Sequence, residues 1–149
     1  MKIRINDEIV TEKLRLQIRL DYKAEERSGR FLFGSKTNQA MAETVREQQI
    51  NLLKNIPLQG IDLQDFDSSM EVYVITEEKN RRTREVAYAP LILTLKADNI
   101  QDVIPFLLRP EFKKIEILGP ESINISKQEM ERLMFSIFKL FSDKIDSYN

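Results

Sequence analysis

Leu14-Arg15-Leu16-Gln17-Ile18-Arg19-Leu20-Asp21-Tyr22 alternates without a break. Leu14, Leu16, Ile18, Leu20 and Tyr22 fall on one side of an extended chain, and Arg15, Gln17, Arg19 and Asp21 on the other. Side chains of a strand alternate between its faces, so this stretch specifies a strand with one face in a core and one in water. The rest of the fold is read outward from it. Upstream, Lys2 to Val10 suggests one further short strand. Downstream, Lys23 to Lys36 is polar apart from Phe31-Leu32-Phe33, with Ser28-Gly29 and Gly34-Ser35 as turn signals.

A long helix is expected from about Thr37 to Asn55, with Met41, Val45, Leu52 and Ile56 as its apolar stripe. Its middle is polar, which places it on a sheet with much of its surface in water. Pro57 and Gly60 end it. Residues 61–70 read as an acidic connection. Glu71–Glu78 and Arg82–Ala97 then form a hairpin about Glu78-Lys79-Asn80-Arg81, with Pro90 marking a bulge or an edge. Asp98 and Gln101 have the spacing of a capping box before a short helix to about Leu108, which Pro105 should kink or shorten. Lys113–Leu118 is a short strand with Ile115 and Ile117 inward, ended by Gly119-Pro120. Ser126 and Glu129 form a second capping box, stapled by Ile125 and Met130, for a terminal helix from Lys127 to about Tyr148.

The order is strand, helix, strand, strand, helix, strand, terminal helix. That is a single α+β domain over residues 1–149, a ferredoxin-like βαββαβ sandwich with an added C-terminal helix. The length of 149 residues suits one core, and 42% apolar with 32% charged residues is an ordinary globular balance.

Composition bounds the chemistry. The chain has no Cys and no His. That removes disulfides, thiolate nucleophiles, Cys/His metal sites and His-based triads, and with them the side chain best suited to proton transfer near neutral pH. Neither a cofactor nor a metal is expected. The charged N-terminus and the lack of a long apolar run point to a cytoplasmic protein without a membrane partner. The net charge of −1 is evenly mixed, so a dedicated nucleic-acid binder is not expected.

The last third carries a family likeness. Leu91-Ile92-Leu93-Thr94-Leu95 precedes an apolar helix, and Lys114-Ile115-Glu116-Ile117-Leu118-Gly119-Pro120-Glu121-Ser122-Ile123 precedes a long terminal helix. Residues 85–149 thereby resemble the C-terminal extension of WYL-domain bacterial regulators, where a strand of the type valine-glutamate-valine-leucine, a proline and a terminal helix recur in that order. The resemblance implies a ferredoxin-like module that binds a ligand or partner. The first 80 residues show neither a helix-turn-helix nor a WYL core.

Candidate sites are few. Asp62, Asp65, Asp67 and Glu71 cluster, but lack the spacing and the Gly of a calcium loop, and read as a solvated acidic stretch. Arg81, Arg82 and Arg84 suit an anionic ligand or acidic partner, or simple pairing across the hairpin. Arg27, Arg30 and Phe31 interleave basic and aromatic groups, as single-stranded nucleic acid binding requires, or anchor a loop. Tyr22, Tyr73 and Tyr88 fall on strands as packed rings or as acid–base groups. The terminal helix is too apolar for one buried face. Met130 and Met134 lie beside Phe135, Phe138 and Phe141, which are the expected dimer contacts unless one subunit buries both sides. The leading expectation is a non-enzymatic interaction or ligand-sensing module acting as a homodimer through the terminal helix, an exposed sheet edge or both, with a small molecule or a protein as further partner. The alternatives are a small enzyme built on Tyr, Lys and carboxylate groups, and a weak single-stranded nucleic-acid binder.

Overall fold

The computed structural model describes residues 2–5, 8–24 and 37–147. The elements run β1 (Lys2–Ile5), β2 (Glu8–Thr11), β3 (Leu14–Lys23), α1 (Asn38–Asn55), β4 (Ile61–Asp67), β5 (Tyr73–Lys79), β6 (Arg82–Ala97), a 3₁₀ turn (Ile100–Asp102), α2 (Ile104–Leu107), β7 (Phe112–Gly119) and α3 (Lys127–Asp146). The mixture is α+β: an antiparallel five-stranded sheet and three α-helices, with β1 and β2 as a separate hairpin. Lys2 to Val10 is therefore two short strands rather than one.

The main sheet has the order β4-β6-β3-β7, and β5 also pairs with β6. β3 sits inside the sheet, as its alternation requires. Leu14, Leu16, Ile18, Leu20 and Tyr22 oppose Ala97, Leu95, Leu93, Leu91 and Ala89 of β6, and directly opposed residues share a face. Ile50 and Leu53 of α1, with Val103 and Phe106 around α2, close this core from one side. A second contact is built from small residues: Ala42 of α1 meets Ala24, Ala87 and Ala89, letting the helix approach the sheet closely.

Residues 61–67 form a strand, not an acidic connection. Ile61, Leu63 and Phe66 pack against the core, and a register shift between Leu63 and Asp65 breaks the period of two that would have revealed the strand. The 16-residue β6 has two partners in succession on that side. β5 pairs with it through Tyr88, and β4 from Ile92 onward. Pro90 falls in the gap, so its missing N–H deprives no strand of a bond. Its carbonyl accepts instead from Arg46 of α1 at 2.9 Å.

The buried face of α1 is Ala42, Arg46, Ile50 and Leu53; of the expected stripe, Met41 and Val45 are half-buried against the core. Leu52 and Ile56 are about half exposed. Thr37 caps the helix, accepting from Ala40 N. The Asp98–Gln101 capping box does not form. Asn99 is the cap residue without a side-chain bond, and Asp98 pairs with Lys13 at 3.5 Å. Around Pro105 the helix is short rather than kinked, four residues from Ile104 to Leu107. Pro105 stands in the first turn of α2, after the 3₁₀ turn, where a missing N–H costs nothing.

Candidate interaction surface

Ser126 starts α3 by accepting from the backbone N of Glu129 at 3.1 Å, as its capping-box spacing predicts. The helix rests on the 3₁₀ turn and α2, and Lys144 donates to the Leu108 carbonyl. Its half-buried residues are Glu129, Leu133, Ser136, Leu140, Ser142 and Lys144, all but Ser142 spaced as one helical face. No residue of α3 is fully buried. The strongly apolar side points the other way. Met130, Met134, Phe135, Ile137, Phe138, Phe141 and Ile145 are all exposed, Phe135 and Phe138 to 65% and 66%. The rings of Phe135 and Phe138 lie 6.5 Å apart. So α3 docks on its own subunit through its more polar face and presents its apolar face outward, the reverse of what a helix completing a monomeric core does.

The three expected contact residues, Phe135, Phe138 and Phe141, are thus on one surface. Sequence periodicity showed the excess of apolar residues but not which side the subunit itself uses, because that depends on where α2 ends. The edge strand β7 adds to the same picture. Ile115, Ile117 and Leu118 are exposed large apolar residues that sequence reading placed inward or left unassigned.

The sheet face turned away from α1 carries a polar network. Asp21 is 2% exposed and accepts from Arg19 Nε at 2.8 Å, Arg19 Nη2 at 3.1 Å and the Tyr73 hydroxyl. The rings of Tyr73 and Tyr88 stack at 5.4 Å. The Tyr88 hydroxyl donates to Glu77 at 2.8 Å, and Lys23 and Arg84 approach the same carboxylate at 3.4 Å and 3.6 Å. Burial, then the bond to Asp21, pushes the Tyr73 phenol up to about 12. Burial and the bond to Glu77 raise Tyr88. Glu77 is held low, first by the Tyr88 hydroxyl and then by Lys23. Asp21 is engaged from its own strand and from β5, and Glu77 from β6 and β3, so the network ties the three strands together.

Tyr22 is on the opposite, apolar face. Its hydroxyl is buried without a hydrogen-bond partner among the described residues, and burial raises its pKa. Replacing it by Phe removes an unmet donor, so Tyr22→Phe raises the unfolding free energy by about 1 kcal/mol in urea titrations. In the unfolded chain these phenols ionise near pH 10. In the folded chain they hold their protons higher, so stability is full below about pH 10 and falls as pH climbs from there towards 12 and beyond. Tyr22→Phe makes that alkaline decline shallower.

Arg81 stands at the β5–β6 turn with φ 63°, after Asn80 with φ 54°, as a two-residue hairpin turn requires. Arg82 opposes Lys79, and Arg84 opposes Glu77. The three arginines share a hairpin tip, and Arg84 is committed to Glu77 within it. Arg27, Arg30 and Phe31 lie outside the described residues. Asp62, Asp65 and Asp67 lie along β4, and among the described residues no group of three acidic side chains converges as a cation site needs. A depression of about 250 Å³ on the helical side is lined by Leu58, Gln59, Pro105 and Phe106, with Asp102 and Arg109 as its charged groups. No helix among the described residues is long and apolar enough to cross a membrane. Compared with known proteins, the chain matches no family model, no curated sequence and no solved structure.

Proposed function

We propose that the chain is a non-enzymatic interaction or ligand-sensing module of the cytoplasm that works as a homodimer joined through α3. The outward apolar face of that helix carries the reading. At about 200 Å² for a fully exposed large side chain, its seven exposed apolar residues leave on the order of 700 Å² in water. That is more than the largest apolar patch of a typical monomer, about 300–600 Å². Light scattering of the wild type is expected to give twice the chain mass of 17.5 kDa. Phe138→Glu places a charge in the middle of the face and returns the mass of one chain. A monomeric wild type at micromolar concentration ends the proposal.

We read the fold as ferredoxin-like. The order β4-β6-β3-β7 with β3, α1, β4, β6, α2 and β7 in sequence supports this, with β5 inserted before β6 and α3 appended. The likeness of residues 85–149 to the extension of WYL-domain regulators points the same way, towards a binding module. The enzyme alternative would have to draw on Tyr73, Asp21 and Arg19. Their mutual hydrogen bonds favour a structural role instead.

A further inference from the structure

The dimer reading leaves open how two copies meet, and β7 supplies a geometry. From its exposed edge and its charge pattern we infer that two copies pair β7 with β7, antiparallel, about a two-fold axis at Ile115, continuing one sheet across both subunits. This inference rests on the homodimer proposed above.

β7 pairs with β3 along one side only, and among the described residues no strand occupies its other side. Lys113 through Leu118 are all exposed. Ile115 opposes Ile18 and Ile117 opposes Leu16, so both isoleucines share the apolar face of the sheet. Ile18 and Leu16 are completely buried, whereas Ile115 and Ile117 are 37% and 52% exposed. The helical layer therefore stops one strand short of the edge. An open edge with apolar residues on its core side invites strand addition.

The register follows from symmetry and charge. A two-fold axis perpendicular to the sheet opposes residues whose numbers sum to an even value, since only those face the same side. Register shifts at Lys113 and Leu118 confine regular pairing to residues 114–117. With the axis at Ile115, each Lys114 opposes the other copy's Glu116, giving two ion pairs, and the two Ile115 side chains meet. With the axis at Glu116 two carboxylates oppose each other, and at Lys114 two ammonium groups do. An axis at Ile117 would carry Glu116 onto the bulged Leu118 and form no ion pair, and cross-strand like charges are unfavourable, so Ile115 is the position the charges select. Adding Ile115, Ile117 and Leu118 to the α3 face brings the exposed apolar surface to roughly 1,000 Å² at about 200 Å² per large side chain. A stable interface needs about 800 Å² per partner.

The absence of cysteine from the chain makes the test direct. Residues opposed on an antiparallel axis have Cα atoms about 4.5–5.5 Å apart, within disulfide reach. Under mild oxidation Ile115→Cys is expected to give a covalent dimer on a non-reducing gel. Ile117→Cys, whose two copies would be about 13 Å apart at 3.3 Å per residue, is expected to remain uncross-linked. As a second measurement, Lys114→Glu or Glu116→Lys alone weakens self-association about tenfold, and the double exchange restores it. A wild type of dimer mass combined with no Ile115→Cys cross-link, or with equal cross-linking at Ile117→Cys, overturns the β7 arrangement and leaves the α3 dimer standing. A wild type of monomer mass overturns both.

Discussion

Arg46→Met is expected to lower the unfolding free energy by about 3 kcal/mol, because it leaves two backbone carbonyls without a partner. Arg46 is 8% exposed, and its guanidinium donates to the carbonyl of Pro90 at 2.9 Å and of Met70 at 3.2 Å. Those carbonyls lie where β5 has ended its pairing with β6 and β4 has not yet begun. On the side of β6 away from β3, no strand stands opposite Pro90 to replace the lost donor. Methionine fills a similar volume, so the loss reads on hydrogen bonding more than on packing. For a chain of this length about 3 kcal/mol corresponds to a fall of roughly 6–12 °C in Tm, measurable by calorimetry or circular dichroism. A change below about 1 kcal/mol would mean that the two carbonyls are satisfied in another way.

Gly60→Ala is the second large effect, and a paired variant separates its causes. Gly60 has φ +71°, in the left-handed region, where a Cβ costs about 1 kcal/mol. That Cβ would also stand 2.2 Å from Oδ2 and 2.6 Å from Cγ of Asp102, so the carboxylate has to move. Together these cost about 2–3 kcal/mol. In an Asp102→Ala background the collision is gone and only the backbone cost of about 1 kcal/mol remains. The Gly60 carbonyl also accepts from Asp98 N at 2.9 Å, which ties the end of the α1–β4 turn to the end of β6. Urea denaturation of the four proteins of this cycle measures the coupling. Equal costs in both backgrounds would show that the carboxylate does not obstruct the site.

These two residues also mark where sequence reading stops. The alternation of 14–22 is legible because β3 is flanked by strands on both sides and covered on one face, so period, burial and pairing agree. β4 was hidden for a physical reason. Its aspartates and its one-residue slip make Ile61, Leu63 and Phe66 look aperiodic, although an allowance for a bulge recovers them. Only Met41 and Val45 of the α1 stripe reach the core, because its fully buried face centres on an Arg, which a buried face normally excludes. Here the gap beside Pro90 needs a donor, and Arg46 supplies it from the helix. Alanine at 42 hid the rest of that face, since close approach needs small residues and small residues carry little hydrophobic signal.

The candidate surface was half legible. The excess of Met and Phe in the terminal helix is plain in the sequence, and so is its Ser126 cap. What periodicity lacks is the direction. Leu133 and Leu140 turn to the subunit and Phe135, Phe138 and Phe141 turn away, a choice fixed by the short α2 and the Lys144 contact. Ile115 and Ile117 were expected inward, and they do share the core face. They remain exposed because the helical layer ends over β3.

The end-to-end arrangement of β5 and β4 along β6 has a further consequence. Beyond Tyr88 the strand β6 pairs with no strand but β5 among the described residues, and its last ties to the rest of the domain include the Ala87 carbonyl accepting from Ala24 N at 3.1 Å and the Glu85 carbonyl accepting from Asn38 at 3.4 Å. The hairpin is therefore an arm whose outer length is decoupled from the sheet that anchors it. Lengthening or trimming one residue in each strand keeps the two-residue turn and advances the facing side chains together. Changing one strand alone would turn every side chain beyond the change to the opposite face. Variation in this arm is thus quantised in residue pairs, and it can proceed at the tip without disturbing Val86 and Ala87 at the root, where the arm is buried.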